Sequence, residues 1–103
     1  MNPEDSKIIT LARAARARNG SAEGAAVRDE TGRTYSATNV GLSALTLSAV
    51  QVAVAMAISS GARSLEAVAL VSEGDPSPAD EAVAAELGAG KLLLAGPDGT
   101  LRG

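Results

Sequence analysis

A stretch without a single charged residue, from Gly41 to Ala62, dominates the hydrophobic pattern of the chain. Its densest part begins at Ser48 and has Ala, Val or Met at most positions, so a helix formed there is apolar on all sides and must be buried. Ser43 and Ser48 could each cap the start of this helix, and we prefer Ser48 because Ser48 followed by Gln51 is a capping-box pattern. Gly61 predicts the end of the helix. The segment between Gly41 and Ser48 is then expected to be a loop or an irregular lead-in.

Patterns on either side of this stretch predict two more helices and four strands. The helices are expected at Asp5–Arg18 and, after a second capping box of Ser77 and Asp80, up to about Leu87. The strands are expected at Gly24–Arg28, Thr34–Asn39, Leu65–Val71 and Lys91–Ala95. A turn signal at residues 29–32 joins the first two strands into an antiparallel hairpin, whereas the later alternation of strands and helices implies parallel crossovers. We therefore expect one α/β domain over residues 1–103 with a mixed sheet.

The composition narrows the chemistry that this domain can perform. The chain has no Cys and no His, which excludes thiolate nucleophiles, imidazole acid–base catalysis and zinc sites built on either ligand. Any metal site would consist of oxygen ligands alone. Tyr35 is the one aromatic residue, and core packing is its expected role. Small aliphatic side chains bury little area each, so the thin core favours further stabilisation at an oligomer interface.

The formal net charge of −3 and the pI of about 4.8 argue against non-specific binding to a nucleic-acid backbone. Arg13, Arg16 and Arg18 near the end of the first predicted helix form either an anionic-partner patch or, as we prefer, a solvated face that suits the helix dipole. The acidic N-terminus does not resemble a signal peptide, and the Ser and Thr residues of the uncharged stretch disfavour a membrane span. We therefore expect a cytoplasmic protein, and the high Arg, Ala and Gly content indicates a GC-rich bacterial source.

Several segments, taken in their order along the chain, resemble those of one enzyme family. They are GAAV at Gly24–Val27, DETGRTYSATN at Asp29–Asn39, VALVSE at Val68–Glu73 with Asp75-Pro76 after it, and VAAELG at Val83–Gly88. Together they resemble the small cytidine deaminases, and the short spacing from Asn39 to Ser48 fits the blasticidin-deaminase-like branch. The resemblance implies a three-layer α/β/α fold that is C-terminally truncated, because the family's final strand and helix are missing after Arg102.

The resemblance also implies that this chain departs from the chemistry of the family. In the family, Cys-Ala-Glu opens the central helix and Pro-Cys-x-x-Cys opens the next helix, so that the Cys residues hold zinc and the Glu moves protons. Ser48, Ser77 and Asp80 stand at the ligand positions here, and Val50 stands at the Glu position. Serine hydroxyls do not deprotonate to bind zinc, one carboxylate is too few, and valine moves no proton. We interpret the four as degenerate site positions, with the polar ones serving as helix caps, and we expect no metal and no cofactor.

Three functional hypotheses follow from this pattern. The first is a catalytically inactive deaminase-like protein, a pseudoenzyme kept for homo-oligomeric assembly into a dimer or tetramer through the central helix, or for binding a protein partner. The second is a nucleoside or small-anion binder that uses the two helix N-termini and Asn39, which alone remains of the ribose-contacting pair that the resemblance implies. The third is a divergent nucleoside deaminase with a rebuilt site, for which the candidate acids are Asp75, Asp80 and Glu81.

Overall fold

The protein forms three layers, in which a mixed sheet lies between helices on its two faces. The structure is a computed structural model that describes residues 1–102. Its helices are α1 (Pro3–Asn19), α2 (Ala49–Ser59) and α3 (Pro78–Glu86). Its strands are β1 (Glu23–Asp29), β2 (Thr34–Thr38), β3 (Val40–Gly41), β4 (Thr46–Leu47), β5 (Leu65–Ser72) and β6 (Leu93–Ala95).

The main sheet has four strands in the order β2-β1-β5-β6. Strand β1 pairs antiparallel with both β2 and β5, whereas β5 pairs parallel with β6 through the crossover that contains α3. This arrangement confirms the predicted mixed sheet, its N-terminal antiparallel hairpin and its parallel crossover. The expected parallel pairing holds for β5 only on its β6 side, because β1 runs antiparallel to β5 on the other side.

The segment before α2 differs from the expected loop. Strands β3 and β4 form a separate two-stranded sheet, with Val40 opposite Leu47 and Gly41 opposite Thr46. The turn between them is closed by the Leu42 amide, which donates to the carbonyl oxygen of Leu45 at 2.8 Å. Residues 43 and 44 reverse the chain within this turn, so β3 and β4 can pair although each has only two residues. Among residues 1–102, no helix combines the length and the apolarity that crossing a bilayer requires.

Two hydrophobic cores lie on opposite faces of the sheet. Alternation along β1 sends Ala25 and Val27 towards α2 and sends Ala26 towards α1. On the α2 side, buried residues of α2 and α3 meet β1 and β5, and Tyr35 packs against this core as expected. The core under α1 is smaller and is built from Ile8, Ile9, Ala12, Ala26, Ala67, Ala69, Val71 and Ala95. Both cores are rich in alanine, so the layers approach closely.

Helix α1 and the sheet approach each other closely at Gly24, near the beginning of β1. A Cβ atom built on Gly24 would lie 2.1 Å from the carbonyl oxygen of Ala12 and 2.8 Å from the Cβ of Arg16. The first of these is a backbone atom of a packed helix, which cannot move aside as a flexible side chain can. Glycine at this position therefore sets the distance between α1 and the sheet.

The turn between β1 and β2 is organised by the buried carboxylate of Asp29. Its oxygens accept hydrogen bonds from the Thr31 amide at 2.9 Å, the Thr31 hydroxyl at 2.7 Å, the Arg33 amide at 3.0 Å and the Tyr35 hydroxyl at 3.1 Å. Burial by itself raises the pKa of Asp29, but the hydrogen bonds from Thr31, Arg33 and Tyr35 outweigh it and hold the pKa below its usual value. The ionised carboxylate thus stabilises the hairpin.

We predict that Gly24→Ala lowers the free energy of unfolding by about 2 kcal/mol or more, because the added methyl group forces α1 away from β1. Urea denaturation monitored by circular dichroism measures the change. Gly41→Ala is the matched control, since it also lies in a strand but has nothing within 4 Å of its Cβ position. An equal loss of stability in both variants would contradict the steric explanation.

We predict that the stabilising effect of Asp29 disappears in acid. A carboxyl group whose pKa is lowered by folding contributes stability that is present above its unfolded pKa of about 3.9 and is lost as the pH falls through the folded value. The melting temperature of Asp29→Asn should therefore lie below that of the wild type at pH 7, and the difference should narrow as the pH falls below the unfolded pKa and through the lower folded one. A difference that stays constant over this range would show that the charge of Asp29 plays no part.

Candidate functional site

The N-terminal ends of α2 and α3 meet, and they bring three of the four proposed degenerate positions together. The hydroxyl group of Ser48 donates to Oδ1 of Asp80 at 2.5 Å, which joins the two helices across 32 positions of sequence. The other oxygen, Oδ2, accepts a longer bond of 3.4 Å from the Ser77 amide. Asp80 is only 1% exposed, so its carboxylate is enclosed by these partners.

Both capping boxes that the sequence predicts are present at this junction. The hydroxyl oxygen of Ser48 accepts from the Gln51 amide at 3.1 Å, and Oε1 of Gln51 accepts from the Ser48 amide at 2.9 Å. In α3, the hydroxyl oxygen of Ser77 accepts from the Asp80 amide at 3.1 Å. Each cap contributes on the order of 1 kcal/mol by satisfying amides that the helix itself leaves unpaired.

Val50 differs from the other three positions because it belongs to the core. Its side chain is fully buried among the residues of the larger hydrophobic cluster, next to Ala49 and Ala53. An aliphatic side chain in this setting offers neither a proton acceptor nor a proton donor. The first turn of α2 therefore presents one polar side, at Ser48, and one apolar side, at Val50.

Glu23 is a residue of the junction that the sequence analysis missed. Its Oε1 accepts a hydrogen bond from the Ala49 amide at 3.1 Å, so a side chain from β1 caps α2 beside Ser48. The backbone amide of Glu23 donates to Oδ1 of Asn39 at 3.0 Å. Asn39 thus holds the beginning of β1 to the end of β2. The signal in the sequence was an acidic residue immediately before a buried strand, but nothing local indicates which helix it reaches.

The three acids proposed for a rebuilt site do not converge. Asp75 is paired with Arg102 at 3.3 Å, and its side chain is 84% exposed. Asp75 and Glu81 line a surface cavity of about 420 Å³ whose other lining residues are Pro76, Lys91, Leu92, Leu94 and Arg102. Asp80 is turned instead towards Ser48. General acid–base chemistry that uses the three carboxylates together has no common position for a substrate in this arrangement.

Two of the three arginines in the second half of α1 fasten loops to the helix. Nε of Arg13 donates to the carbonyl oxygen of Pro97 at 3.0 Å, and Nε of Arg16 donates to that of Ala22 at 3.1 Å. Arg18 is exposed. This arrangement favours the interpretation as a solvated face with favourable dipole placement over an anionic-partner patch.

The donors at the junction do not fit the zinc ion that the family resemblance implies. They are two hydroxyl groups and one carboxylate whose two oxygens are already hydrogen-bonded, whereas zinc takes thiolate, imidazole or carboxylate ligands that are free to bind. The chain has neither Cys nor His to supply another ligand. Within residues 1–102, no three acidic, Cys or His side chains come together in a group able to hold a metal ion.

Solved structures of several cytidine deaminases resemble this fold. The enzyme from Burkholderia pseudomallei shares 26% sequence identity and a TM-score of 0.79, over 99% of this chain and 91% of that one. The enzyme from Mycobacterium tuberculosis shares 27% identity and a TM-score of 0.75, over 98% of this chain and 90% of that one. The enzyme from Mycobacterium leprae, at 22% identity and a TM-score of 0.73 over 98% and 93% of the two chains, shows likeness of fold alone.

Comparison with curated proteins gave no match. The model of the family described as cytidine deaminase-like, however, matches residues 1–99. These residues include the N-terminal hairpin, the two capped helices that meet at the junction, and the parallel crossover. The chain therefore belongs to the cytidine deaminase-like family.

Proposed function

We propose that this protein is a catalytically inactive member of its family, a pseudoenzyme whose role is homo-oligomeric assembly or partner binding. The observation that carries the proposal is the junction of Ser48, Ser77 and Asp80, where the polar groups are hydrogen-bonded to one another. Hydrolytic deamination needs an activated water and a group that moves protons to and from the base. The side chains at this junction supply caps for two helices instead.

Val50 supports the same proposal from the apolar side of the junction. The family resemblance puts the proton-transferring Glu at this position, and the side chain here is fully buried among aliphatic groups. The divergent-deaminase alternative needs another acid to take over, and Asp75 and Glu81 lie on a separate surface cavity. We therefore favour the inactive protein over a deaminase with a rebuilt site.

The alternative of a nucleoside or small-anion binder has less support in the geometry of the junction. It requires unpaired amides at the helix N-termini. The Ala49 and Gln51 amides of α2 already bond to Glu23 and Ser48, and the Asp80 amide of α3 bonds to Ser77. The amide oxygen of Asn39 accepts from the backbone of Glu23. These groups are committed within the chain itself.

The assembly part of the proposal rests on the outer side of α2 and on the hairpin before it. Exposed residues of α2 include Ala55, Met56 and Ile58, and the hairpin exposes Leu42 and Leu45. The whole stretch from residue 41 to residue 62 carries no charge, although the chain as a whole has a formal charge of −3. Two copies that meet through this face place no like charges opposite each other, which an isologous interface requires. A second copy of the chain is therefore the partner that we propose.

The catalytic part of the proposal predicts that the purified protein releases no ammonia from millimolar cytidine or blasticidin S, with or without added zinc. An ammonia-coupled assay measures this turnover. Because Ser48, Ser77 and Asp80 converge, the variant S48C/S77C/D80C is expected to bind one zinc ion per chain, whereas S48A/S77A/D80A, the matched control, binds none. Turnover by the wild-type protein together with stoichiometric metal would contradict the proposal.

The assembly part predicts that the protein has a solution mass at least twice its chain mass of 10.2 kDa at micromolar concentration and physiological salt. Light scattering measures this mass. Ala55→Glu is expected to weaken association by on the order of tenfold or more, because it buries two like charges at the interface. Ala14→Glu is the control, since it changes an exposed alanine of α1 in the same way. A strictly monomeric wild-type chain would refute homo-oligomeric assembly.

A further inference from the structure

Each of the two helices at the junction begins against a carboxylate supplied by the chain itself. Asp80, in the first turn of α3, receives the hydroxyl group of Ser48 from the beginning of α2 at 2.5 Å. Glu23, at the beginning of β1, receives the Ala49 amide from the first turn of α2 at 3.1 Å. Two carboxylates from distant parts of the sequence therefore contact the same end of α2.

Asp80 does more than cap its own helix. One carboxylate oxygen bonds within α3, to the Ser77 amide at 3.4 Å, while the other bonds to α2 through Ser48. Because Asp80 is 1% exposed, water competes little for these bonds. A hydroxyl group that donates to a carboxylate forms one of the stronger hydrogen bonds in proteins, so this contact resists separation of the two helices.

Glu23 is positioned by the sheet. Glu23 pairs with Ser72 of β5, and its backbone amide donates a hydrogen bond to the side chain of Asn39, just after β2. The side chain therefore extends from a fixed strand end to α2. A negative charge at a helix N-terminus interacts favourably with the helix dipole, which adds to the hydrogen bond.

We propose that Asp80 and Glu23 form a metal-free clamp that fastens α2 to α3 and α2 to β1. A zinc ion bound at the positions of Ser48, Ser77 and Asp80, as the resemblance implies for the family, would join the same two helices. The donors here do not fit zinc, and the clamp makes that connection with groups of the chain itself. The clamp acts on folding stability, whereas the proposed function concerns catalysis and assembly, so measurements of stability and of activity test the two separately.

A double-mutant cycle tests whether Asp80 acts across the helices. Ser48→Ala, Asp80→Ala and the double variant are compared with the wild-type protein by urea denaturation. We expect the double variant to be more stable than the sum of the single effects predicts, with a coupling of about tenfold in the unfolding equilibrium constant. The control cycle pairs Ser48→Ala with Glu81→Ala, an exposed acid in the same turn of α3, and should be additive. Additive effects of Ser48 and Asp80 would overturn the clamp.

Asp80→Asn replaces Asp80→Ala in the same cycle if the alanine variant does not fold. Its amide keeps one acceptor oxygen but loses the charge, so the coupling to Ser48 should fall without being abolished. The wild-type protein provides a measurement that needs no variant. Its melting temperature should be unchanged by a chelator and by added zinc, and a decrease of more than about 5 °C with the chelator would overturn the metal-free clamp.

The Glu23 half of the clamp is tested separately by hydrogen exchange. Glu23→Ala should increase the exchange rate of the Ala49 amide about tenfold or more, because that amide loses its acceptor. Glu73→Ala, which removes an exposed acid just after β5, is the control and should leave this amide unchanged. Equal exchange of the Ala49 amide in the wild type and in Glu23→Ala would remove Glu23 from the clamp.

Discussion

Burial of α2 against the sheet is the contact on which the rest of this structure depends. The residues of α2 that enter the core, Ala49, Val50, Ala53, Val54 and Ala57, are small, and the chain contains neither Phe nor Trp to fill wider spaces. The helix must therefore lie close to the strands, and its first turn is drawn into the interior with it. Amides of a buried helix end need partners, because water does not reach them. The capping boxes and the carboxylates of Asp80 and Glu23 follow from this requirement.

The same close packing explains why the enclosed carboxylate of Asp80 is tolerated. A buried charge without partners destabilises a fold strongly, but this one receives a hydroxyl group from Ser48 and an amide from Ser77. Its location between two helix N-termini adds a favourable field from both. Two helix N-termini with positive partial charge meet here, and the carboxylate of Asp80 between them offsets that charge.

The sequence predicted the parts of this junction that depend on local spacing. Both capping boxes span three residues, and the strands and helices are bounded by glycines and prolines that local rules recognise, so these elements were expected close to where they lie. The contacts between Ser48 and Asp80 and between Glu23 and Ala49 cross 32 and 26 positions, and they depend on how the crossover and the hairpin place their ends. Local patterns do not contain that information. The β3–β4 hairpin was also missed, since its strands are only two residues long.

Satisfaction of the polar groups at the junction also determines which surface remains available for binding. The Ser48, Ala49 and Gln51 amides at the start of α2 already donate to side chains of the protein, so a polar ligand would have to displace those bonds to reach these amides. The opposite side of α2 carries no such cost, because Ala55, Met56 and Ile58 are exposed and uncharged. Covering these side chains removes apolar surface from water, which contributes a favourable free energy of about 25 cal/mol per Å². Binding free energy in this protein is therefore more readily gained on the outer face of the central helix than at its N-terminus.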